Sequence, residues 1–88
     1  MSTDNVIVIG KKPIRDYVLS AILLFNEGHE EIVLKAKGSN ISKAVDVYNA
    51  LRNRLPDNIE LVSINIDSIE KGARKLIPVI EIKVRRSI

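Results

Sequence analysis

Residues Glu31 to Leu55, EIVLKAKGSNISKAVDVYNALRNRL, change hydrophobic period midway, and that change decides the fold. Up to Lys37, Ile32, Leu34 and Ala36 alternate with Val33, Lys35 and Lys37, the period of a strand with one partly wet face. After Gly38-Ser39-Asn40, the apolar residues Ile41, Ala44, Val45, Tyr48, Leu51 and Leu55 recur at helical spacing. Ser39 or Asn40 suits the N-cap. Leu55-Pro56-Asp57-Asn58 ends the helix, because proline cannot continue it and Asp-Asn favours a turn. A strand that hands over to a helix across three residues is one half of a layered α/β arrangement.

The preceding stretch, VIVIGKKPIRDYV (Val6 to Val18), repeats that order. The β-branched run Val6 to Ile9 reads as a short strand buried on both faces and ended by Gly10. Pro13 suits the first helical position, where its missing N–H costs nothing. Ile14, Tyr17, Val18, Ala21, Ile22 and Phe25 then form an apolar stripe, with Gly28 as the stop. Leu19 and Leu23 fall among Arg15, Asp16 and Glu27 on the polar side, as surface leucines or as a protein contact. Downstream, Ile59 to Ile66 reads as a third strand. Its phase shift from Ile59 and Leu61 to Ile64 and Ile66 predicts a bulge near Val62-Ser63. Asp67 to Lys75 is polar and turn-like around Gly72, and Leu76 to Val84 is a fourth strand. Pro78 places that strand at an edge or at the base of an arm. The expected class is α/β, an α+β two-layer sandwich in the order β-α-β-α-β-β. Its mixed four-stranded sheet carries two helices on one side, in a single domain over residues 1–88.

With 88 residues the domain buries only part of its surface, so a partner subunit would add stability. No cysteine is present, which removes disulfides and thiolate metal sites and fits a reducing compartment. The N-terminal MSTDN is polar and acidic, unlike a signal peptide, and no apolar run is long enough to span a membrane. The expected location is cytoplasmic. Fourteen Lys and Arg against eleven Asp and Glu give a net charge of +3, a mild basic bias compatible with nucleic acid. Three aromatics, Tyr17, Phe25 and Tyr48, are too few for a base-stacking platform.

Catalytic constellations are missing from the pattern. His29 is the lone histidine and follows a helix end, where a cation is favoured by the dipole. It has no evident nucleophile partner. The Gly-Lys pair in GKKP lacks the rest of a Walker loop. An acylphosphatase-like enzyme would need an arginine-bearing phosphate loop after the first strand, and Lys11-Lys12-Pro13 is not one. No enzyme activity, cofactor or metal is expected. The basic residues, by contrast, cluster. Lys11, Lys12 and Arg15 stand at the first helix start, Lys37 and Lys43 flank the second, and Lys71, Arg74 and Lys75 lie in the strand 3–4 hairpin. Helix starts offer free N–H donors and a positive dipole end, so lysines there oppose the dipole slightly but suit an anion.

The segments VIVIGKKPIRDYVLSAI and EIVLKAKGSNISKAVDVYNALRNRL together resemble the Alba family of archaeal chromatin proteins, over nearly the whole chain from Asn5 onward. The resemblance implies the same element order and a dimer that binds double-stranded DNA, and RNA, with little sequence preference. It implies chromosome or nucleoid association and DNA condensation. Lys11 and Lys12 match the family's paired lysines, a DNA-contacting and acetylation-regulated site, which brings in a deacetylase as a partner. Asn5 matches a polar contact before the first strand. Lys37 and Ser39 fall where relatives commonly have arginines, with Asn40 beside them. Lys71, Arg74 and Lys75 match arms that reach the minor groove. Ser39 carries no charge, which makes this site weaker than in strongly basic members. Leu55 stands near the place of a family phenylalanine that packs dimer on dimer, so the resemblance leaves such packing open here. The departures resemble a divergent second paralogue, which implies a homodimer or a heterodimer with another Alba chain. The alternative function is an RNA-binding subunit of a ribonuclease P-type particle or an RNA-stabilising protein. A third reading is a protein–protein adaptor whose basic face serves only solubility.

Overall fold

The computed structural model describes residues 5–87. The strands are β1 (Val6–Val8), β2 (Glu31–Lys37), β3 (Ile59–Glu70) and β4 (Leu76–Arg86); the helices are α1 (Ile14–Asn26) and α2 (Ile41–Arg54). A single 3₁₀ turn, Gly38–Asn40, leads into α2. The sheet order is β1-β2-β4-β3, with β1 parallel to β2 and the other pairs antiparallel.

Both helices lie on one face of the sheet, where the alternation of the strands demands it. β2 buries Ile32, Leu34 and Ala36, and β4 buries Ile80, Ile82 and Val84 in register beside them. Against this row α1 buries Tyr17, Val18, Ala21 and Phe25, and α2 buries Ala44, Val47 and Leu51. The opposite face is polar, with Lys35 pairing with Glu81 at 3.5 Å. Leu34 is fully buried at the centre of the core. Leu34→Ala should therefore destabilise the fold by about 2–5 kcal/mol, read as a fall in the urea midpoint with little change in slope.

Several expectations need correction. β1 is not buried on both faces. It is an edge strand, and Val8 is 68% exposed while Ile7 and Ile9 are buried. Pro13 occupies the N-cap position with an extended backbone (φ −61°, ψ 153°), so α1 begins one residue later. The apolar stripe of α2 is rotated: Val47 is buried and Val45 is 40% exposed. Asp67 to Glu70 is strand rather than turn, paired residue by residue with Leu76 to Val79.

Other expectations hold. The register of β3 slips between Leu61 and Ser63, at the bulge its phase shift announced. Pro78 lies beyond the last β2–β4 pair, Lys37 with Val79, where one edge of β4 is free and no N–H is needed for β2. Gly28 takes φ +105°, with Gly28 N–H donating to the Phe25 carbonyl and His29 N–H to the Leu24 carbonyl. This is a Schellman closure, which requires the left-handed conformation that glycine adopts freely.

Candidate nucleic-acid interface

Topology gathers the basic loops. Because β1 and β2 are parallel, the turns that follow them, Gly10–Pro13 and Gly38–Asn40, leave the sheet at the same end. β4 runs antiparallel to β2 and starts three residues before its last pair with it. The β3–β4 hairpin therefore projects past that same end by roughly 10 Å of strand plus its turn. The turn closes through the Lys71 N–H donating to the Lys75 carbonyl at 2.7 Å, with Gly72 at φ +77°.

Lys11, Lys12, Arg15, Lys37, Ser39, Lys71, Arg74 and Lys75 are all exposed, and Asn40 and Lys43 are half-buried. Neither α1 nor α2 carries a side-chain N-cap hydrogen bond. Asn40 stands at the N-cap position of α2, but with a helical backbone (φ −87°, ψ −2°) because the 3₁₀ turn feeds directly into the helix. At α1 the uncapped first turn leaves N–H donors for an anion beside the lysine pair.

Two residues sit differently from the rest. Asn5 stands at the start of β1, about 15 Å along the strand from Gly10. Its side-chain amide donates to the Glu31 carbonyl at 3.2 Å, and its own carbonyl accepts from Val33. It is not brought to the basic end. Lys43 reaches it, yet its ammonium turns inward and donates to the Gly10 carbonyl at 2.8 Å, 5.7 Å from the centre of the Tyr17 ring.

One participant escaped the reading of the sequence. Tyr17 lies on the apolar stripe of α1 and is buried, as a core residue would be. Its hydroxyl, however, accepts the backbone N–H groups of Gly10 at 2.8 Å and Lys12 at 3.1 Å. A polar-tipped ring four residues past a loop full of unpaired donors was the only available signal.

The far end of the sheet is organised by different charges. Arg85 donates to Glu60 at 3.0 Å, and that carboxylate holds the guanidinium pKa above its ordinary value. Arg86 donates to the Phe25 carbonyl at the C-terminus of α1, the end at which a cation is favoured.

Residues 5–68 match the Alba family model. The chain belongs to the Alba family. Its relatives include DNA/RNA-binding protein Alba 2 of Saccharolobus solfataricus, 47% identical over 73 residues that span 82% of each chain. DNA/RNA-binding protein Alba of Methanocella arvoryzae is 41% identical over 90 residues, covering 98% of this chain and 94% of the relative. Among solved structures, Alba from Thermoplasma volcanium superposes with a TM-score of 0.83 at 36% identity, over 93% of this chain and all of that one. ALBA1 from Trypanosoma brucei shares the Alba fold, with a TM-score of 0.84 at 22% identity over 96% of this chain and 70% of its own. No helix among the described residues is long and apolar enough to cross a membrane.

Proposed function

We propose that this Alba-family chain is a sequence-tolerant nucleic-acid binder that works as a dimer and grips phosphates with the basic end of its sheet. The observation that carries the reading is the convergence of three basic loops on one end of the domain. These are Lys11-Lys12 with Arg15, Lys37 with Ser39 and Asn40, and the arm with Lys71, Arg74 and Lys75. Relatives named as DNA/RNA-binding proteins support it. Affinity comes from lysine and arginine neutralising phosphates and releasing counterions, which positions the protein without reading bases. Acetylating Lys11 or Lys12 removes one of these charges and weakens binding, and a deacetylase restores it.

A second copy is the partner that fits the β3 side of the sheet. Leu61, Ile64 and Ile66 share the helix-side face with Val84, Ile82 and Ile80, yet no helix covers them. Val45 lies on the flank of α2 turned away from Ala50 and Arg54, which line the α1–α2 cleft. A paralogous Alba chain could occupy the same face.

With about 6–8 phosphate contacts per dimer, log K for duplex DNA should fall against log salt with a slope of roughly −5 to −7. A slope near zero overturns the reading. Repeating the titration with duplex and structured RNA at one salt concentration separates a chromosomal role from that of an RNA-particle subunit.

A further inference from the structure

We propose that Tyr17 is the positioning residue of the lysine loop: its hydroxyl pins the Gly10–Pro13 backbone so that Lys11 and Lys12 are held ready for phosphate. The inference rests on the nucleic-acid reading above and adds a residue to it. The loop has no regular structure of its own, and Lys11 and Lys12 are exposed. What fixes it lies beneath. A helical aromatic side chain leans back toward its helix N-terminus, and Tyr17, in the first turn of α1, therefore reaches the loop before the helix. Both acceptor positions of its oxygen are taken, by Gly10 N–H at 2.8 Å and Lys12 N–H at 3.1 Å. The ring itself is 7% exposed and belongs to the buried core cluster, so the oxygen at its tip is carried on a packed side chain rather than a mobile one.

Lys43 completes the clamp from α2. Its ammonium donates to the Gly10 carbonyl at 2.8 Å while facing the Tyr17 ring at 5.7 Å. The peptide units on both sides of Gly10 are thus held, and a fourth bond, Ile9 N–H to the Lys35 carbonyl at 2.8 Å, anchors the strand end. A loop ordered before binding loses less freedom on meeting its ligand, and that saving appears as affinity.

The test is Tyr17→Phe, which removes the hydroxyl and keeps the ring, the core packing and every charge. Because no charge is lost, a change in salt dependence can come only from the lysines that the hydroxyl positions. Duplex DNA affinity should fall about five- to tenfold, in line with two lost hydrogen bonds. The salt slope should become shallower by about one to two. In a background of Lys11→Ala and Lys12→Ala the same substitution should change affinity less than twofold, because nothing remains to position. Unaltered affinity and slope, or an equal loss in the lysine-free background, overturns the proposal.

Amide hydrogen exchange on the free wild-type protein gives a second readout that needs no variant and no DNA. The Lys12 amide should exchange at least tenfold more slowly than that of Lys11, which has no acceptor among the described residues. Equal rates overturn the pinning. Slow Lys12 exchange in a protein that binds no nucleic acid would leave the pinned loop standing and refute the nucleic-acid reading instead.

Discussion

A chain carrying Lys11→Ala and Lys12→Ala should bind duplex DNA about 100- to 1000-fold more weakly than the wild type at 0.1 M salt, with a salt slope shallower by about 3 to 4. In the proposed dimer two lysines per chain make four, and each phosphate contact contributes about 0.9 to the slope. The loss should be the same for A·T-rich and G·C-rich duplexes, because phosphate contacts carry no sequence information. The fold should survive. Both lysines are exposed, with no hydrogen bond or ion pair from their side chains among the described residues. Removing them also takes positive charge away from the positive end of α1. The thermal midpoint should therefore hold or rise slightly while binding collapses, and fluorescence anisotropy beside a melting curve checks both. A loss confined to one sequence, or a slope that does not change, would mean that the pair does not grip phosphates.

How much of this was written in the sequence varies by element. β2 and α2 were legible because each has one dry face, and burial on one face imprints a period. β1 misled because a β-branched run records only hydrophobicity. Whether Val8 is covered depends on the sheet order β1-β2-β4-β3, which leaves β1 at an edge. The arm misled for the opposite reason. Asp67, Ser68 and Glu70 pair across the hairpin with Val79, Pro78 and Leu76 but pack on no core, so no alternation marks them as strand. The clustering of lysines and arginines was visible in the sequence, and their convergence on one end needed the parallel β1–β2 pair. Lys43 read as one more surface cation. Only the fold turns it onto the Gly10 carbonyl. Tyr17 read as core because an apolar stripe hides what the tip of a ring does.

Replacing Ile64 and Ile66 together by lysine should halve the mass in sedimentation and cost about 100-fold or more in DNA affinity, even though the chain gains two positive charges. Ile66 is 78% exposed and Ile64 50% exposed, an apolar row on the outer strand of the sheet. Leaving such a row in water forgoes roughly 25 cal/mol for each Å² that a partner could cover. A second copy, meeting it face to face, would cover its own row at the same time, which is the economy of a two-fold interface. Lysines in that interface would repel their counterparts and be costly to desolvate. Each chain should still fold, because neither isoleucine contributes to the buried core. The direction of the charge change makes the experiment decisive. If single chains bound DNA independently, added lysines would strengthen binding through phosphate neutralisation. If two basic ends must engage one duplex together, dissociation removes the second contact, and the loss of that effective concentration outweighs the added charge. Unchanged mass would refute the β3 face as the dimer surface. Halved mass with tighter binding would keep the interface but show that each basic end acts alone.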